Sequence, residues 1–485
     1  MNQQKGMAVK SGEDWMSVWI GLFIWGIALA GALAGRDFLG WGTVAGVWAR
    51  VGKSLVPVSG NYTWMPGWES VLCTYLFLLI ALVAGARLLR YDLRKFVVGF
   101  SLIYWISLGC MFVGSNAYVA ATLNQRKGFG IGWSLGLTSE AGFILALLAG
   151  VAISTIGSFS GTASRLKEAV RPEWYIKIAL VLLGAFLGVQ IAGAGNLAKT
   201  IMLRGFVAVA VVYLIYWALA FLVAHKLFHF DREDSAVFAS AISICGVAAA
   251  AATGAAVKAR SSVIAMVSSI VVIFSVVEIM ILPFVVGNFL YRDPLVAGSF
   301  MAMAVKTDGA AVASGTITEA VVQAKALAVT GAGYKDGWIL MTTTTEKMLI
   351  DLFIGIFAFI LAAIWTYRIN RIPGEKIHAI QIWERFPKFI LGFLAAFLAT
   401  LLLSFHSPEM FRAVKLAAVE SNGFRVIFFA MTFLSIGLAV DAKRFLKEGL
   451  GKMTAAYAVC LVGIIFPVGL AVSWLFFHGI MPPAK

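Results

Sequence analysis

Lys306 and Asp308 lie in the stretch from Ala302 to Gly315, where every other residue is apolar, small or hydroxyl-bearing. A lysine or aspartate at mid-bilayer costs roughly 2.5–3.5 kcal/mol on insertion scales, so such residues face a bundle interior or a watery cavity. Two positions apart, the pair is separated by about 200° on a regular helix and faces opposite ways. The two can meet only if the backbone opens, and Gly309 with its small neighbours permits that. Otherwise Lys306 needs a carboxylate from another helix. Glu278 and Glu140, each isolated in an apolar run, are available. Asp308, Glu278 and Glu140 are therefore candidate coupling sites for a proton or a sodium ion. The competing reading is a structural ion pair that fixes helix register.

Two further stretches carry unusual residues. Ser240 to Gly254, containing Ser243, Cys245 and Gly246, is almost entirely small. Such a run suits close helix contact, and equally a broken helix whose freed N–H groups line a cavity. Phe429 to Asp441 sets Thr432, Ser435 and Gly437 into an apolar run, where a packed helix is the simpler expectation. Glu346, Lys347 and Asp351 read as the interfacial start of a helix. The five histidines fall in loops or at helix ends with no ligand spacing, and the four cysteines sit in apolar runs without a CxxC pair. There is no phosphate loop, nucleophile elbow or metal motif. No enzymatic activity, resident metal or cofactor is expected, and ATP-driven transport would need another subunit.

The elements that must position these residues follow from composition. Charged residues make up 13% of the 485, hydrophobic residues 61%, and mean hydropathy is +0.90. A soluble chain carries about 25% charged residues, so lipid must be the solvent for much of this one. The net charge of +15 comes from short basic clusters between apolar runs, a pattern of membrane topology and not of nucleic-acid binding. Thirteen runs approach the roughly 20 residues of a spanning helix: 16–36, 70–89, 96–114, 134–156, 174–194, 201–224, 237–258, 262–287, 297–316, 345–366, 386–404, 423–441 and 452–477. Continuous runs exclude a β-barrel, whose strands alternate. Ala32-Leu33-Ala34 mimics a signal-peptidase site, but the run is long for a signal and its flank carries Glu13 and Asp14, so the helix is read as retained.

Four basic clusters, around Arg87–Lys95, Arg165–Arg171, Arg368–Lys388 and Lys443–Lys452, all fall on one side when the helices are counted. That places the N-terminus in the cytoplasm and the C-terminus outside. Trp15, Trp174, Trp338, Trp365 and Trp383 read as interfacial anchors. Residues 37–69 read as an outer capping loop, and Glu319 to Lys335 as an interfacial helix.

From residue 134 onward the ten spans divide five and five, and an odd number of crossings inverts the second half. The expected organisation is an all-α polytopic protein with an N-terminal three-helix unit (1–133) and two inverted repeats (134–296 and 297–485). Helices 237–258 and 423–441 would be the fourth of their halves. Paired irregular helices in inverted halves point to a transport site near the midplane.

Three motifs carry a family resemblance. Ser243-Ile244-Cys245-Gly246 followed by Ala248 to Ala252, Ala302 to Gly315, and Phe429 to Gly437 resemble conserved segments of the sulfate exporter family, over about 70% of the chain. In the second segment Lys306 stands where that family has a histidine, Thr307 where it has an aspartate, and Asp308 comes one place later. The resemblance implies the inverted-repeat fold of cation/proton antiporters and bile-acid symporters, with the fourth helix of each half broken and crossing.

The expectation is a secondary active transporter with alternating access, in a bacterial cytoplasmic membrane, for a small anion such as sulfate, a sulfonate or a carboxylate. Lys306 and Thr307, the N–H groups around Ser243, Cys245 and Gly246, and Ser435 would bind the anion, with proton or sodium coupling at Asp308, Glu278 or Glu140. The expected partners are the bilayer, the substrate and a second copy of the chain. One alternative is a cation/proton antiporter with Asp308 and Glu278 as carriers. Another is a membrane binding or structural protein that moves nothing.

Overall fold

The computed structural model describes residues 2–121, 123–135, 141–157, 166, 168–192, 196–331, 333–369, 387–439 and 451–484. It is nearly all helical, and each of the thirteen apolar runs falls on a helix or a broken helix. By length and composition, eight helices among the described residues can cross a membrane, and Ala141–Thr155, Pro294–Ala304 and Phe389–Ser404 are shorter apolar helices. Two compact units form, Met1–Gly195 with Lys388–Ala439, and Asn196–Pro387 with Val440–Lys485. Compactness thus groups the chain in interleaved pieces. The expected halves at 134–296 and 297–485 are a matter of symmetry, which compactness does not address.

The first unit holds α1 (Asn2–Leu33), α2 (Gly67–Leu88), α3 (Leu93–Gly114), α4 (Ala141–Gly157), α5 (Pro172–Ala192), α13 (Phe389–Ser404) and α14 (Pro408–Ala439). A short hairpin, β1 (Thr43–Ala45) against β2 (Leu55–Pro57), occupies the expected capping loop. The sequence gives two spans here very little side chain at their contact. A Cβ on Gly150 or Gly437 would run into the opposing backbone, so α4 and α14 approach main chain to main chain. α14 is continuous from Pro408 to Ala439. The expected break within 423–441 is therefore corrected: the small residues there serve helix contact, and no N–H groups are freed near Ser435. One end of the unit is tied by ions. Arg171 pairs with Glu13 at 3.2 Å, Lys177 with Asp14 at 2.9 Å, and Asp14 also accepts the Lys388 N–H at 3.0 Å. Burial and the hydrogen bond to Glu13 push the Tyr91 hydroxyl above its ordinary range.

The second unit holds α6 (Asn196–Leu222), α7 (Arg232–Ser243), α8 (Val247–Val257), α9 (Ser261–Phe289), α10 (Pro294–Ala304), α11 (Asp308–Thr330), α12 (Trp338–Ile364) and α15 (Gly451–Phe477). α11 runs unbroken through residues expected to form a separate interfacial helix, and Glu319 is buried, accepting the Leu340 N–H at 2.9 Å. Trp174, Trp338 and Trp365 are buried in protein, which corrects their reading as headgroup anchors, and Trp383 lies outside the described residues.

Candidate functional site at two helix breaks

Two spans of the second unit are broken. α7 ends and α8 begins across Ile244, Cys245 and Gly246, with Gly246 at φ +63°. With ψ at −105°, this backbone conformation costs a side-chain-bearing amino acid about 1–3 kcal/mol. A Cβ there would also meet Val271 Cγ1 at 2.5 Å, so glycine is required twice over. α10 ends and α11 begins across Val305, Lys306 and Thr307, with Val305 and Thr307 extended. The Thr307 hydroxyl accepts the Ala310 N–H at 3.3 Å and so caps α11. The backbone thus opens one residue before Asp308.

Breaking a helix inside a membrane frees carbonyls that water cannot satisfy. Lys347 supplies the donor. Its Nζ donates to Ile244 O at 3.0 Å, Lys306 O at 3.0 Å and Val305 O at 3.5 Å, so one ammonium holds carbonyls of both breaks. It also lies 3.8 Å from Asp308 Oδ1, and is only 2% exposed. The sequence reading placed Glu346, Lys347 and Asp351 at an interface, and this is corrected. α12 begins at Trp338, so Lys347 lies about 13 Å along its axis and all three side chains are buried. The polar run Thr342–Thr345 disguised the helix start.

Lys306 is 1% exposed. Its Nζ donates to Met303 O and lies 4.6 Å from the centre of the Tyr216 ring. Among the described residues no carboxylate oxygen lies within 4.0 Å of it, and the acid whose charge acts on it is Glu278 on α9. Glu278 is buried, and neither carboxylate oxygen has a hydrogen-bond partner among the described residues. Glu346 is buried too, with Oε2 2.9 Å from Ser299 Oγ, which is itself 2.9 Å from Ser473 Oγ.

Of the expected site residues, Ser243, Cys245, Gly246, Lys306, Thr307, Asp308 and Glu278 all belong to this unit and are buried. Ser435 belongs to the first unit, inside continuous α14. Glu140 lies outside the described residues. Sequence reasoning missed Lys347, Glu346, Asp351 and Tyr216. The signal for the first three was a run of charges on one helix with apolar sequence continuing beyond it. It also missed Arg425, buried in α14 with its guanidinium 4.8 Å from the Phe429 ring centre.

Long apolar helices, interior charges and helices broken within an apolar unit define a polytopic α-helical membrane protein. The chain belongs to the UPF0324 membrane protein family: the family model described as Conserved hypothetical protein 698 matches residues 130–456. It is 36% identical over 488 residues to the UPF0324 membrane protein NE0724 of Nitrosomonas europaea, covering 100% of this chain and 99% of that one. It is 27% identical over 416 residues to the UPF0324 membrane protein RB9488 of Rhodopirellula baltica, covering 84% and 68%. An uncharacterized protein of Archaeoglobus fulgidus is 43% identical over 164 residues, which cover 30% of this chain and 88% of that one. No solved structure matches the chain. The two UPF0324 names state membrane residence, and none of these names gives a solute, so the sulfate reading does not follow from them.

Proposed function

We propose that the protein is a secondary active transporter of a small anion such as sulfate, a sulfonate or a carboxylate, working by alternating access with a proton or sodium ion coupled at Glu278. The observation that carries this reading is Lys306. A lysine inside a membrane unit is expensive, and this one is satisfied by a carbonyl and an aromatic ring while no carboxylate among the described residues contacts it. Its charge is left for an anion. The start of α8, beside the buried and otherwise unpartnered Ser243 hydroxyl, adds N–H groups at a positive helix end. Glu278, buried beside Lys306 with no hydrogen-bond partner within normal distance among the described residues, is the group whose charge changes with its ion.

One observation favours a second reading, cation/proton antiport. Among the described residues the same unit buries six carboxylates, Asp234, Glu278, Asp308, Glu319, Glu346 and Asp351, against two lysines, Lys306 and Lys347. A thermal-shift series separates the two. Purified protein is titrated with sulfate, small sulfonates and carboxylates across pH, with and without sodium. Binding to the folded state raises the melting temperature by mass action. The anion reading expects an anion-specific rise that Lys306→Met abolishes. A rise with sodium alone, unaffected by any anion, supports antiport and overturns it.

A further inference from the structure

Where the two breaks and α12 meet, three ligand-type atoms converge: Cys245 Sγ from the first break, an Asp308 oxygen from the start of α11 and an Asp351 oxygen from α12. All lie within 4.8 Å of one another, and all three side chains are buried. We propose that these residues form a divalent transition-metal site of the zinc class, a role that is independent of which solute the protein moves.

The donor chemistry selects the ion. Carboxylates alone suit magnesium, calcium or manganese, whereas a thiolate draws the preference to a softer ion such as zinc. Three atoms no more than 4.8 Å apart share a centre that lies at most about 2.8 Å from each. Zinc–sulfur bonds are about 2.3 Å and zinc–oxygen bonds about 2.0–2.2 Å, so side-chain movements of less than about 1 Å close the site. Three protein ligands leave the fourth position open, as in zinc sites that keep a bound water.

Charge gives an independent argument. A thiolate and two carboxylates carry three negative charges. The Lys347 ammonium, 3.8 Å from Asp308 and fixed to the carbonyls of both breaks, carries one positive charge, and a divalent ion adds two. The buried cluster is then neutral, as low-dielectric surroundings require. Binding releases the thiol proton to solvent. The Ser243 hydroxyl, on the last turn before the same break, is buried with no hydrogen-bond partner among the described residues. On this assignment Cys245 and Asp308 hold the ion, and the anion is left to Lys306.

The test uses full-length protein in detergent, stripped of metal. Equilibrium dialysis against zinc should give one ion per chain, with affinity reduced at least about tenfold in Cys245→Ser and Asp351→Asn. Cobalt should give a thiolate-to-metal charge-transfer band that Cys245→Ser removes. Cys73, Cys110 and Cys460 are the other thiols. A variant with all three replaced by serine should keep the band, which holds the test open should Cys245→Ser fail to fold. A triple variant without the band, or a folded Cys245→Ser protein that binds zinc as tightly as the parent, overturns the assignment. Neither result bears on anion binding, which Lys306→Met tests separately.

Discussion

At the residue scale the molecule depends on where it has put its buried ammonium groups. Lys347 satisfies carbonyls at both helix breaks, so its loss leaves several main-chain acceptors and Asp308 short of a donor at once. Removing one member of a buried charged network costs about 3–5 kcal/mol. Lys347→Met is expected to lower the melting temperature sharply, whereas Lys95→Met, on an exposed pair with Asp92, should leave it nearly unchanged. Equal melting temperatures for the two variants would remove Lys347 from its bridging role. Lys306 and Lys347 look alike in a sequence, and only their partners separate them. One is held by the carbonyls of two breaks and an acid, the other by a single carbonyl and a ring.

At the element scale the two breaks arise by different means. The first rests on Gly246, whose positive φ and contact with Val271 exclude a side chain, and the second on an extended segment closed by the Thr307 cap. Gly246→Ala should destabilise by about 1–3 kcal/mol from backbone conformation alone, with a further loss from overlap. Adding Val271→Ala should restore only the overlap part, a split that thermal melts of the single and double variants would measure. Full restoration would mean that the backbone strain is absent. On α14, Gly437→Leu should unseat the contact with α4 and prevent a monodisperse protein, and a well-folded Gly437→Leu would contradict that close approach. These elements show what was legible. The eight described helices long and apolar enough to cross a membrane all fall on apolar runs, and the small residues from Ser240 to Gly254 did mark a break. The similar run around Ser435 marked close packing, because small side chains serve both purposes and composition does not separate them. The partner of Asp308 was invisible because Lys347 follows four threonines, which imitate the polar start of a helix.

At the scale of the whole molecule, the four basic clusters predict an orientation. In a cysteine-free background Asn61→Cys, in the loop between α1 and α2, should react with a membrane-impermeant maleimide on intact cells. Lys95→Cys, in the basic cluster, should react only after permeabilisation. The reverse pattern would invert the topology. The family match begins at residue 130, just before α4, while the Nitrosomonas europaea relative is covered from end to end. The charged cluster lies wholly within the second compact unit, so any solute handled there meets Lys306. The most direct test is flux. Protein reconstituted in proteoliposomes is given labelled sulfate, a sulfonate or a carboxylate under an imposed proton or sodium gradient. The predicted result is gradient-driven uptake of at least one of these anions, lost in Lys306→Met vesicles containing equal amounts of folded protein. Uptake by Lys306→Met at the parental rate would contradict it.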